Sequence, residues 1–187
     1  MPEPRVKGIL PIHLNSYLVA HHGEAGLQQV CAQLSAAAAQ MVKSPVAHEW
    51  YPHRDFLEAE ETITRLLYAG DLSQAWRFGH FNMEESVNRV YRFLFRFLSP
   101  ELLVQKSAKL WSTLMDQGQL TTESLGPRSI AVQVGGFVPG KPVWCHEMRG
   151  GLLGALAVCS IPEAQRRVTE TACAFKGAAG CRFEIRW

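Results

Sequence analysis

From Lys141 to Trp187 the chain reads K-P-V-W-C-H-E-M-R-G-G-L-L-G-A-L-A-V-C-S-I-P-E-A-Q-R-R-V-T-E-T-A-C-A-F-K-G-A-A-G-C-R-F-E-I-R-W. Pro142 suits the first turn of a helix, and Val143, Trp144, Met148, Leu152, Leu153, Leu156 and Val158 carry an apolar run to about Ser160. Pro162 stops it. Residues 165–174 and 181–187 then alternate or run β-branched and aromatic, with K-G-A-A-G between them as a turn. This end therefore reads as a helix leading into a β-hairpin.

The hairpin aligns chemistry. Cys173 and Cys181 flank its turn almost symmetrically, so pairing the strands brings the two thiols to roughly 4.5–5.5 Å between Cβ atoms. Glu170 precedes Cys173 by three residues and points to the opposite face of a flat strand. Only a bulge or a strand end at Cys173 puts both on one side. Cys145, near the start of the preceding helix, is a fourth donor if that end of the helix sits over the hairpin. Three thiolates and a carboxylate form a closed tetrahedral set suited to zinc. The spacing is not one of the self-sufficient zinc patterns, so a metal site, a buried thiol pair and a Cys173–Cys181 disulfide all remain open on spacing alone.

The segment V-W-C-H-E-M-R-G-G-L-L-G-A-L, followed by V-T-E-T-A-C-A-F-K-G-A-A-G-C-R-F-E-I, resembles the 4-vinyl reductase domain family over the last quarter of the chain. That family includes the sensor modules of phenol- and toluene-responsive transcription activators. It shares a fold with trafficking-complex subunits and, more distantly, with haem nitric-oxide-binding domains. The resemblance implies a structural zinc beside a buried pocket for an aromatic ligand. Carried over by motif, the zinc ligands are Cys145, Glu170, Cys173 and Cys181, with His146 as the neighbouring substitute for Cys145.

Upstream of the helix, L-T-T-E-S-L and I-A-V-Q-V-G-G-F alternate as strands around a Gly126-Pro127 turn. Everything before them reads as helix. Ile9 to His21 is a short helix ended at His22-Gly23, and Glu24 to Lys43 a longer one with Cys31 on its apolar face. Between Pro45 and Pro52, His48, Trp50 and Tyr51 form with His53 a cluster that reads either as a packing plug or as a pocket wall. Asp55 to Tyr68 turns Phe56, Ala59, Ile63, Leu66 and Leu67 inward and Glu58, Glu60, Glu61 and Arg65 outward. A helix capped by Asp71 or Ser73 ends near Gly79, and Asn82 to Leu98 is another, with Arg89, Arg92 and Arg96 on one stripe. Ser99-Pro100-Glu101 opens a helix that stops at Gly118. The fold class is thus α+β, with a helical N-terminal two-thirds packed on an antiparallel sheet of about four strands. Residues 1–187 form a single domain, 1–117 mainly helical and 118–187 hairpin, helix, hairpin.

A hydrophobic share of 47%, a charged share of 19% and a net charge of +2 argue against nucleic acid or an acidic membrane as partner. No run is long enough to span a bilayer, the N-terminus lacks the apolar core of a secretory signal, and five cysteines point to a reducing, cytoplasmic setting. P-loop, G-x-G-x-x-G, G-x-S-x-G and H-E-x-x-H motifs are absent, and no catalytic constellation is recognisable, so the reading is not an enzyme. His13, His21, His22 and His80 are axial candidates by position, but the Y-x-S-x-R signature of the haem family is missing and no haem is expected. The expected function is a small-molecule-binding sensory or regulatory domain of bacterial type, with Phe93, Phe97, Trp111, Trp144 and Phe175 as pocket walls. Its expected partners are a small hydrophobic or aromatic molecule and a second copy or another protein. The alternative is an interaction or scaffold domain that dimerises without a small ligand, with the Gly150, Gly151 and Gly154 face or the arginine stripe covered by another chain.

Overall fold

A computed structural model describes residues 3–87, 98–136 and 140–187. Six helices and two antiparallel sheets make up these residues. The helices are α1 (Ile9–Cys31), α2 (Ala36–Lys43), α3 (His53–Leu67), α4 (Trp76–Ser86), α5 (Pro100–Leu114) and α6 (Val143–Val158). Strands β1 (Arg5–Lys7) and β2 (Trp50–Pro52) form a small ribbon. Strands β3 (Gln119–Gly126), β4 (Ser129–Gly135), β5 (Arg167–Ala172) and β6 (Cys181–Arg186) form a sheet in the order β3-β4-β6-β5. The α+β architecture read from the sequence is the observed one. Arg89, Arg92, Arg96, Phe93 and Phe97 lie outside the described residues.

The sheet has one dry face. Ile130, Val132 and Val134 of β4 stand opposite Ile185, Phe183 and Cys181 of β6, and all six are buried. Between them Arg182 points outward to Glu123 of β3 at 2.8 Å. A one-residue slip would exchange these two sets, so the burial pattern fixes the register.

Several helix boundaries differ from expectation for identifiable reasons. Gly23 kinks α1 with φ +66° instead of ending it, a conformation that costs glycine nothing. The long helix read over 24–43 breaks at Ser35, which caps α2 by accepting from the Ala38 N–H and is itself held by Glu58 at 2.6 and 2.8 Å. Helix α4 runs through Gly79 to Ser86, so the turn expected there is helix interior. The ribbon β1–β2, three residues a side, was too short to show a period.

The glycines explain the central contact. A Cβ on Gly150 of α6 would lie 1.8 Å from the Trp76 carbonyl oxygen, and one on Gly79 of α4 would lie 1.9 Å from that of Glu147. Helices α4 and α6 therefore meet backbone to backbone. The glycine face that the scaffold reading gave to another chain is covered by α4 of the same chain.

Ser99 and Pro100 start α5 as expected, with the Ser99 hydroxyl accepting from the Leu102 N–H at 3.3 Å. Ser99→Ala is expected to cost about 1 kcal/mol, read as a lower urea midpoint with an unchanged slope.

Candidate metal centre and adjoining cavity

The β5–β6 hairpin carries three of the four expected donors. Glu170 pairs with Phe183 and Ala172 with Arg182, so one extra residue is inserted in β5 between Glu170 and Ala172. This is the bulge that the Glu170–Cys173 spacing requires, and it turns both side chains to one face. Cys173 ends the strand and begins a single 3-10 turn, Ala174–Lys176, after which Gly177 takes φ +89° and the chain returns to Cys181. Helix α6 sets its first turn over this hairpin and supplies Cys145.

One ligand atom each from Cys145, Glu170, Cys173 and Cys181 lie within 4.8 Å of one another. The Cys145 sulfur is 3.8 Å from those of both Cys173 and Cys181. With zinc–sulfur bonds of about 2.3 Å, the edge of a regular tetrahedron is about 3.8 Å. A disulfide needs about 2.05 Å, and all five cysteines are free thiols. The backbone N–H of Ala174 donates to the Cys181 sulfur at 3.4 Å, an outer contact of the kind that orients thiolate ligands. Glu170 Oε1 is buried without a hydrogen-bond partner among the described residues, while Oε2 lies 3.9 Å from Lys176 Nζ. Burial pushes the Cys145 thiol far up, with the Glu170 carboxylate next in effect, and burial raises Cys181 as well. The Cys145 and Cys181 thiols therefore release protons when a cation replaces them. His146 stands outside the group of four.

Beside this centre is a cavity of about 150 Å³ bordered by α1, α4, α5, β3 and α6. Its wall is mostly apolar: Met83, Trp111, Met115, Leu120, Trp144, Met148 and Leu152. Trp111 and Trp144, two of the expected wall residues, border it. Phe175 does not; it packs on the core from the hairpin turn. Of the His48, Trp50, Tyr51 and His53 cluster, none reaches the cavity among the described residues. Trp50 instead lies under Lys7 Nζ at 4.6 Å, and His53 is buried at the start of α3.

Glu147 is the charged residue of the described wall. On α3, Glu60 is fully buried with no hydrogen-bond partner for either oxygen among the described residues. Glu60 was expected to face outward with its neighbouring acids. Its place four residues after Phe56 and three before Ile63 puts it on the apolar stripe, a periodicity that the local run of charges concealed. Burial, then the Glu147 and Glu61 carboxylates, raise the Glu60 carboxyl well above its usual range, and burial raises Glu147 to about 7.

Both acids bind protons more tightly folded than unfolded. Their contribution to stability is therefore full below about pH 4.5 and is lost as pH rises toward 7 and through the folded values. The expected result is that Glu60→Gln, compared with the parent in urea at each pH, gains roughly 1–3 kcal/mol in relative stability between pH 5 and pH 8. A relative stability independent of pH would remove the charge from Glu60. Taking the difference cancels proton release at the thiols.

The expected axial histidines are otherwise engaged. His13 Nδ1 lies 2.5 Å from Asn82 Oδ1, His22 Nε2 lies 3.0 Å from the Tyr68 hydroxyl, and His80 faces Glu84 at 3.3 Å. His21 stacks at 4.6 Å on the Tyr17 ring. None borders the cavity among the described residues. The donors among the described wall residues are the thioethers of Met83, Met115 and Met148, the side-chain oxygens of Asn82 and Ser86, and the Glu147 carboxylate.

No family model and no curated protein matches this sequence. Solved structures do match its fold. An H-NOX protein from S. oneidensis in the Fe(II) ligation state superposes with a TM-score of 0.73 at 17% identity, over 96% of this chain and 95% of that one. An H-NOX mutant from K. algicida gives 0.70 at 11%, over 96% and 95%. A structure described as probing the function of haem distortion in the H-NOX family gives 0.70 at 11%, over 97% and 94%. The fold is thus that of H-NOX domains, the more distant relative in the sequence reading, and membership of the 4-vinyl reductase family is not shown. The expectation of no haem is overturned by these neighbours, which are described by their iron and haem states. A missing Y-x-S-x-R signature is no ground for setting haem aside in a chain with this fold. The described cavity has room for about one aromatic ring, comparable to apolar cavities that bind benzene. A macrocycle requires a wider conformation than this one.

Proposed function

We propose that this chain is a small-molecule-binding sensory domain in which a structural zinc ion, held by Cys145, Glu170, Cys173 and Cys181, fixes one wall of the ligand cavity. The observation that carries the reading is that α6 supplies both a metal donor, Cys145, and the wall residues Trp144, Glu147 and Met148. Metal and ligand then act on one helix. When bound, zinc would serve as a closed structural cross-link, since four protein donors leave no open position for chemistry. The residues do the rest. Cys173 and Cys181 anchor the hairpin, Cys145 pins the first turn of α6 to it, and Trp111 and Trp144 give the cavity apolar walls.

A signal from such a site is a displacement of α6. Helix α4, in backbone contact with α6 at Gly79 and Gly150, moves with it or separates from it. No helix among the described residues is long and apolar enough to cross a membrane.

A second reading, favoured by the likeness to H-NOX structures, is that the cavity widens to take haem. One experiment on purified, untagged protein separates the readings: elemental analysis for zinc and iron, an absorption spectrum for haem, and a thermal-shift series with toluene and phenol. The first reading expects one zinc per chain and a higher melting temperature with toluene. Iron with a haem absorption band supports the second. Protein without metal and indifferent to every compound would sink both.

A further inference from the structure

Along α4 the cavity wall carries neutral polar groups. Asn82 and Ser86, one helical turn apart, border the space together with Gly79 and Met83. The Ser86 hydroxyl donates to the Asn82 backbone carbonyl at 2.8 Å. The Asn82 side-chain oxygen lies 2.5 Å from His13 Nδ1. An amide oxygen has no hydrogen to give, so His13 is the donor in this contact. His13 is 8% exposed and follows Leu10, the α1 residue of the described wall, by one turn, without itself bordering the cavity. With its oxygen held there, the planar amide keeps its NH2 group for another partner, and among the described residues Nδ2 has none. The Trp111 Nε1–H, by contrast, is given to the Gln117 backbone oxygen at 3.1 Å.

We propose that the ligand of this cavity is a neutral aromatic carbonyl compound whose oxygen accepts a hydrogen bond from Asn82 Nδ2, with His13 as the residue that positions the amide. This rests on the reading of the cavity as a ligand site and names the class of ligand. A few fixed polar groups in an apolar pocket set which head group is accepted. A hydrocarbon fills the space and leaves Nδ2 unpaired. A hydroxyl brings a hydrogen of its own, and the nearest amide oxygen is already engaged by His13. A carbonyl brings only lone pairs, which is what a held NH2 group requires. The volume of about 150 Å³ limits the body to about one ring.

The test is a calorimetric titration of the full chain with acetophenone, 1-phenylethanol and α-methylstyrene, three probes of one skeleton that differ in the head group. The ketone is expected to bind several-fold more tightly than the alcohol. Asn82→Leu is expected to weaken acetophenone at least tenfold more than it weakens α-methylstyrene, a cycle that cancels the difference in hydrophobicity between the probes. His13→Phe should show the same selective loss in smaller measure, whereas a merely structural role would weaken all three probes alike. The carbonyl stretch of isotope-labelled acetophenone bound to the parent protein should lie below its frequency in cyclohexane and return toward that value in both variants. If the alcohol binds as tightly as the ketone, or both variants weaken all probes equally, the carbonyl proposal fails while the cavity remains a ligand site. If none of the three binds, both fail. A bound carbonyl that vibrates as in cyclohexane overturns the proposal on the parent protein alone, even if neither variant folds.

Discussion

Cys181→Ser is expected to lower the melting temperature by about 8–16 °C and to abolish stoichiometric zinc, and treating the parent with a strong chelator is expected to do the same. Cys181 is 1% exposed, lies 3.8 Å from the Cys145 sulfur and accepts from the Ala174 N–H. It ties the second strand of the hairpin to both the turn and α6. Losing it leaves two thiols and a carboxyl group without the fourth donor, with Glu170 Oε1 already lacking a hydrogen-bond partner among the described residues. Structural zinc supplies on the order of 10 kcal/mol in domains with no other core. Here the sheet and helices keep their own core, so a loss of about 4 kcal/mol is the expectation, at 2–4 °C per kcal/mol for a chain of this size. The thiols are raised by burial, so metal must displace protons and the chelator-sensitive part of stability should grow with pH. Cys159→Ala is the control. That thiol packs in a separate cluster with Val87, Leu103 and Ala155, and its loss should leave the metal content unchanged. Equal melting curves for the two variants, with no metal in the parent, would remove the zinc.

The hairpin could be read from the chain because its information is local. A glycine turn between two alternating runs specifies a pairing, and the Glu170–Cys173 spacing then demands a bulge to put both donors on one face. The position of α6 over that hairpin is different in kind. It depends on how the helix packs between α4 and the sheet, which the sequence states only as three glycines in an apolar helix. Gly79, the glycine of α4 that meets α6, looked like a helix end, because a glycine near the end of an amphipathic run usually is one. The cavity was least legible. Its wall comes from five elements spread between Leu10 and Ala155, and only the tryptophans signalled themselves by size. Glu60 was hidden among acids that do face solvent, although its spacing from Phe56 and Ile63 placed it on the buried stripe. The fold relationship to H-NOX structures lies at 10–18% identity, where packing is kept and motifs are not.

Gly150→Ala is expected to destabilise the protein by about 3 kcal/mol, although the same change in an exposed helix would stabilise it by nearly 1. The sign follows from where the new methyl group goes. At 1.8 Å from the Trp76 oxygen and 2.6 Å from its carbonyl carbon, it meets backbone, which cannot rotate aside as a side chain would. Helices α4 and α6 must separate by more than 1 Å to restore contact distance, and the neighbouring approaches, Gly79 to the Glu147 oxygen and Gly154 to Met83, loosen with them. Gly151→Ala is the matched comparison, one residue along. Among the described residues its methyl group meets only the Gly79 oxygen, at 3.7 Å, so it should be neutral or stabilising by up to about 1 kcal/mol. The two variants carry the same atoms and the same helix propensity, so a difference of about 3–4 kcal/mol between their urea transitions isolates the contact. The separation also shifts Cys145 and Glu147, which ride on α6. Gly150→Ala should therefore hold zinc more weakly and bind cavity ligands less tightly, while Gly151→Ala keeps its zinc. If the two variants unfold at the same urea concentration, α4 and α6 are not in backbone contact, and α6 is not the shared element that joins the metal centre to the cavity.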